Sequence, residues 1–239
     1  MKPNKKSLVL FYPFAVVLIL LIITTGCNTP TPKDQDKTSP KTGITVIDTD
    51  GNVYHTVTIG KQVWMVENLK TAHFRNGDTI LNVSDELKWS QLKTAAFCNY
   101  NNDKKNITDY GRLYNWFAVN DKRSICPTGW HVPTNSEWSD LFKFLDGKDI
   151  AAGKLKSTDK WHKPNAGATN SKGFTALPGG SRDYPEAKFD NLGSSGHWWS
   201  ATENEEGFSW MIYMSCMGED AMKLSEAQQS GFSVRCIKD

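Results

Sequence analysis

CPTGWHVPTNSEW (Cys126–Trp138) and GFSVRC (Gly231–Cys236) carry the reading of the fold. Each holds one cysteine among aromatic, glycine or proline residues, the composition of chain fixed in a compact core. Together they imply one folded unit whose last strand is stapled back near its middle. Within the first stretch, Thr134 and Glu137 have capping-box spacing: the hydroxyl takes the N3 amide and the carboxylate reaches back to the N-cap amide. Trp138, Leu141, Phe142 and Leu145 then recur at i, i+3, i+4 and i+7, one buried stripe, and Gly147 ends the helix.

Outward from that helix the pattern turns to strands. Ile44 to Ile47, a DTDGN turn at Asp48 to Asn52, and Val53 to Ile59 form a hairpin signal, with Val53, Val57 and Ile59 on one face. Gly60-Lys61 makes a second turn before QVWMVENL. Asp48 and Asp50 lack the further oxygens and the Glu at position 12 that an EF-hand requires, so the turn is read as a hairpin. Ser84 to Lys93 is expected to hold a short helix, and AAFCNY a strand carrying Cys98. YGRLYNWFAV (Tyr110–Val119) fits a helix or an extended aromatic ridge, and periodicity does not separate the two at that length. FTALP, HWWSAT, FSWMIYM and FSVRCI are short strand candidates between glycine-rich turns. All nine tryptophans follow residue 60, so large aromatics supply much of the burial. The expected class is α+β.

The first residues read differently. Lys2, Lys5 and Lys6 precede an apolar run from Leu8 to Ile23, and Thr24, Thr25 and Gly26 lead into Cys27. That is the layout of a lipoprotein signal peptide over 1–26 with Cys27 as the lipidation site, although Thr24 stands where such signals usually carry Leu. An uncleaved anchor is disfavoured: spanning needs roughly 20 apolar residues, and Pro13 interrupts this shorter run. Residues 27–43 contain three prolines and almost nothing apolar, so a flexible tether is expected there, with one domain over 44–239. The whole chain has 28 basic and 26 acidic residues; without the leader's three lysines the remainder carries 25 against 26, a formal charge of −1. There is no basic excess and no Lys/Arg stripe, which argues against nucleic acid as a partner.

Cys98, Cys126, Cys216 and Cys236 remain once Cys27 is set aside. An even number in an exported chain favours two disulfides, with three pairings open; Cys126–Cys236 and Cys98–Cys216 are the pairs expected. No C-x-x-C pair suggests zinc.

IGKQVWMVENLK (Ile59–Lys70), GRLYNWFAV, CPTGWHVPTNSEW, KGFTALPGGSR (Lys172–Arg182), GHWWSATE (Gly196–Glu203) and GFSVRCIKD occur in this order. This set resembles the Fibrobacter succinogenes major paralogous domain, found in exported, often lipid-anchored proteins of Bacteroidetes and Fibrobacteres. The resemblance implies a relative of the C-type lectin-like and formylglycine-generating-enzyme fold: twisted antiparallel strands, flanking helices and long loops forming a binding face. The Glu-Pro-Asn or Gln-Pro-Asp and Trp-Asn-Asp motifs of calcium-dependent sugar-binding lectins are missing from SRDYPEAKFDNLG and SWMIYM. The paired C-terminal cysteines of formylglycine-generating enzymes are missing too, since only Cys236 stands there.

None of the five histidines has i, i+4 metal-ligand spacing on a recognisable helix, so neither metal nor cofactor is expected. Ser181, Asp183 and His197 could be written as a hydrolase triad, but no nucleophile-elbow context accompanies them. Arg182, Asp183 and Tyr184 follow Gly179-Gly180, and His197, Trp198 and Trp199 follow Gly196; these six are the ligand-binding candidates. Neighbouring strand residues point to opposite faces, so one tryptophan is available as an exposed stacking platform unless both are interior. The function expected is a non-catalytic binding module on an outer-membrane lipoprotein, its ligand a glycan or a protein. Asn28 after Cys27, rather than Asp, favours the outer membrane by resemblance to better-known sorting. The alternatives are a structural envelope component or a formylglycine-generating-like enzyme.

Overall fold

A computed structural model describes residues 43–239. The expected signal peptide, the expected lipidation site Cys27 and the expected tether up to residue 42 lie outside the described residues. β1 (Val46–Ile47) and β2 (Val53–Tyr54) pair antiparallel around the DTDGN turn. The Asp48 carboxylate accepts from the amides of Asp50 and Asn52, from the Asn52 side chain and from the Tyr54 hydroxyl at 2.6 Å. Its lone pairs are thus used within the turn, as in an Asx-turn. β3 (Thr56–Ile59) and β4 (Gln62–Met65) form a two-residue hairpin over Gly60-Lys61, with Gly60 at φ 62°. Val53 departs from the expected face. The chain shifts phase at His55 between β2 and β3, so Tyr54, Val57 and Ile59 are buried while Val53 is 48 % exposed.

β5 (Leu81–Asn82), α1 (Glu86–Ser90), β6 (Ala96–Cys98), α2 (Asn106–Tyr110), β7 (Leu113–Tyr114), α3 (Trp116–Val119) and β8 (Trp130–His131) follow. The aromatic ridge is therefore both things: strand through Tyr114, then a helix turn capped by Asn115, whose side chain accepts from Ala118 N at 3.2 Å and Ala96 N at 2.9 Å. In α4 (Asn135–Phe144) both halves of the capping box form, and Trp138, Leu141, Phe142 and Leu145 are buried. α5 (Lys148–Leu155) was not expected. Its buried face is built on Ala151, Ala152 and Gly153, small residues with little periodic signal. The glycine is required because a Cβ there would lie 2.8 Å from the Gly167 carbonyl.

β9 (Gly179–Asp183), β10 (Lys188–Leu192), β11 (Ser195–Glu205), β12 (Phe208–Ser215) and β13 (Ala221–Ala227) make a sheet in the order β10-β9-β11-β12-β13. Pairing is antiparallel except where Gly196 of β11 meets Gly180 of β9. β14 (Ile237–Lys238) lies between β4 and β8 in a four-stranded sheet, so the last strand pairs with one of the first.

Gly231–Cys236 joins these sheets. Gly231 exchanges both backbone bonds with Arg182, and Phe232 does so with Tyr114. Ser233 donates to His197 O and accepts from Trp199 N; the carbonyls of Val234 and Cys236 accept from Leu69 and Met65. The Cys126–Cys236 disulfide then closes a separation of 110 residues. On the chain-entropy view such a loop stabilises by about 4–5 kcal/mol.

The expected Cys98–Cys216 bridge is absent: both are buried free thiols. Cys98 sits with Val83, Trp89 and Leu113, whereas Cys216 sits in a separate cluster with Trp64, Trp138 and Trp198. Even cysteine count is no guide to pairing once the two side chains are assigned to different packing units. Burial pushes the Cys98 thiol up to about 12, against the opposing charge of Arg182. Among the described residues the fold is mixed α+β, mostly sheet, with one disulfide.

Candidate functional site

The six residues expected to bind a ligand divide into scaffold and surface. Arg182 is fully buried and donates to the carbonyls of Ala187 (2.8 Å), Val83 (2.7 Å) and Ser84 (2.9 Å), between the rings of Trp89 and Phe189. Trp198 and Trp199 do point to opposite faces of β11, but both faces are covered. Trp198 enters the cluster around Trp64 and Trp138, and Trp199 enters the one around Phe232 and Tyr114. Their indoles donate to Asn68 Oδ1 at 2.9 Å and Tyr114 O at 2.7 Å. His197 is buried, stacked on Phe232 with centroids 5.1 Å apart, and 2.7 Å from the Ser195 hydroxyl. Burial brings its pKa down to about 4. No tryptophan platform is exposed here. Asp183 is half-buried, with burial raising its pKa, and Tyr184 is 45 % exposed; these two alone of the six reach the surface.

Two other buried cations repeat the role of Arg182. Arg235 lies 4.2 Å from the Phe174 centroid and donates to Phe174 O, Thr175 O and Asn68 Oδ1. Burial lowers its pKa to about 9. Lys156 Nζ donates to the carbonyls of Ala166, Ser215 and Gly218 at 2.8–2.9 Å, and burial lowers its pKa as well. Carbonyl dipoles and aromatic faces carry these charges. The GGSR, VRC and ENLK motifs are thus accounted for by packing.

A concavity that the sequence reading missed lies where the β3–β4 turn meets α4. It has a volume of about 720 Å³, with Ile59, Gly60 and Lys61 on the turn and Asp140, Lys143 and Phe144 on the helix. Gln62 at its edge is held in place: its side chain donates to Glu137 O at 2.9 Å and accepts from Trp64 Nε1 at 3.2 Å. Phe144 falls outside the stripe of Trp138, Leu141, Phe142 and Leu145, and is 43 % exposed. Its ring occupies the space a side chain at position 60 would need, since a Cβ on Gly60 would lie 2.9 Å from Cδ2. Lys172 Nζ stands 5.5 Å from the ring centroid. Lys61 and Lys143 form no ion pair among the described residues. The one available signal was Phe144 itself, a large aromatic on the wrong face of an amphipathic helix.

A second concavity of about 470 Å³ is lined by Lys93, Phe117, Lys122 and Arg123 among others. Arg123 is already engaged by Asp121 at 2.8 Å and Asp78 at 3.1 Å, and lies over Phe74. Among the described residues no three His, Cys, Asp or Glu side chains converge as metal ligands, and no helix is long and apolar enough to cross a membrane.

Comparison with protein families matches residues 57–238 to the Fibrobacter succinogenes major domain. No curated protein and no solved structure matches the chain.

Proposed function

The chain belongs to the Fibrobacter succinogenes major domain family, and from that premise we propose that it is an outer-membrane lipoprotein presenting a non-catalytic glycan-binding module. The charged, then apolar leader ending at Cys27 supports export and lipidation, and the proline-rich segment after it supports presentation away from the bilayer. We read the architecture as a C-type lectin-like variant, related to formylglycine-generating enzymes. The adjacency of β4 and β14, the closing disulfide and the long glycine-rich connections support that reading. The module uses no metal or cofactor in this reading and does not engage nucleic acid.

The observation that carries the function is the cleft with Phe144 exposed beside Asp140, Lys61 and Lys143. An aromatic surface flanked by polar groups suits a sugar, whose ring has an apolar C–H face and hydroxyls at its edge. A glycan array probed with the purified full chain tests this. Specific hits that Phe144→Ala abolishes are expected, and silence from a chain that still melts cooperatively overturns the proposal.

A protein partner is favoured by a different feature. β13 is an edge strand of its sheet, with Met222 and Leu224 each 36 % exposed. Pull-down from envelope extracts with wild type and Leu224→Lys separates that reading from the first: it predicts a specific partner lost in the variant, with the glycan array blank.

A further inference from the structure

We infer that the cleft between the β3–β4 turn and α4 selects acidic carbohydrate of the uronic-acid class; this rests on the glycan-binding reading above. Three features of the cleft point the same way. The first is charge. Lys61 and Lys143 line it without an ion pair among the described residues, and Lys172 is held near the Phe144 ring. Asp140 is the one carboxylate in the lining, and Glu137, whose carbonyl holds Gln62, has its own carboxylate engaged by His131 at 2.8 Å. The local excess is positive on a chain whose basic and acidic residues otherwise almost balance.

The second feature is the exposed ring. A small inorganic anion gains nothing from an aromatic surface, whereas a pyranose carrying a carboxylate uses ring and ammonium together. The third is Asp140. It repels a ligand of dense negative charge, such as a polyphosphate, but accepts hydrogen bonds from sugar hydroxyls. A hydroxyl-rich ligand with no more than one charge per sugar ring satisfies all three.

Gly60 makes the arrangement possible. With φ near +62° and no side chain, it lets Phe144 lie on the turn while the ring stays partly open to solvent. Any larger residue at that position meets the ring, so that ring or turn must shift.

The test is calorimetric titration of the purified full chain with oligomers of galacturonic and glucuronic acid, and with the same oligomers methyl-esterified. The ester keeps the sugar and removes the charge. The acids are expected to bind at least tenfold more tightly than the esters, with the difference shrinking as salt is raised. Lys61→Ala with Lys143→Ala should erase that difference, the double arginine variant should restore it, and Phe144→Ala should abolish binding of both forms. Equal affinity for acid and ester overturns charge selection and leaves glycan binding standing. No binding of either acid series, with neutral hits on the array, also overturns the inference alone. A blank array together with blank titrations removes both readings.

Discussion

Arg235 and Asn68 are joined across 167 residues of chain by one buried hydrogen bond, Nη2 to Oδ1 at 2.9 Å. The same Oδ1 accepts from Trp198 Nε1, and the Asn68 amide donates to Tyr110 O and the Ser233 hydroxyl. One side chain thus ties β11, the end of the β4 segment and the Gly231–Cys236 stretch together. Asn68→Ala leaves the Trp198 indole without this acceptor and the buried Arg235 guanidinium with only the Phe174 and Thr175 carbonyls. A loss of about 3–5 kcal/mol is expected, read as a lowered urea midpoint.

The Cys126–Cys236 bridge should be the one disulfide of the domain. Non-reducing peptide maps are expected to pair these two cysteines and to show Cys98 and Cys216 as thiols reactive only after unfolding. Reduction, or Cys126→Ala with Cys236→Ala, should lower stability by about 2–5 kcal/mol.

His131 clasps the end of the chain: Nδ1 meets Asp239 at 2.7 Å and Nε2 meets Glu137 at 2.8 Å. Burial opposes its charge, yet these two carboxylates outweigh burial and raise its pKa above 6.5. Burial likewise opposes the Glu137 charge, but hydrogen bonds from Thr134 and His131 hold its pKa below 4.5. The histidine contribution is complete below pH 6.5 and fades as pH rises through the raised value; the glutamate contribution fades as pH falls below 4.5. Stability from this clasp peaks between those limits, and His131→Gln should flatten the alkaline side of a denaturation-midpoint profile.

His197 acts in the opposite sense. Its pKa is near 4 when folded and about 6.5 when unfolded, so the unfolded chain takes the proton first. Stability should fall by up to about 3 kcal/mol as pH drops from 6.5 to 4. His197→Phe removes that slope, whatever its cost at neutral pH.

Phe144 and Trp138 share α4 but not a role. Trp138→Ala empties a buried site 4.7 Å from the Trp64 centroid and should cost about 3–5 kcal/mol. Phe144→Ala should change the melting temperature little while abolishing ligand binding. Gly60→Ala places a Cβ against the Phe144 ring at positive φ, and a loss of about 1–2 kcal/mol together with blocked binding is expected.

What could be read without coordinates was local. The Thr134–Glu137 cap with its stripe and the Gly60 hairpin each need only residues a few positions apart, and they form as read. β13 escaped because Glu226 breaks the face of Met222 and Leu224 after two apolar positions, and β9 because GGSRD looks like a turn. β9, flanked by β10 and β11, needs no such signal of its own.

By itself the sequence determined the α+β class, the capped helix and the membership that its ordered motifs express, because propensity, periodicity and turn chemistry act over short spans. Only the tertiary structure decided that Trp198 and Trp199 are both interior, that Arg182 is a pin rather than a contact, and that Cys98 and Cys216 never meet. Burial depends on what covers a face, and the covering segments arrive from far along the chain. The same reason hid the cleft: Gly60 and Phe144 lie 84 positions apart and make a surface only once their elements are packed together.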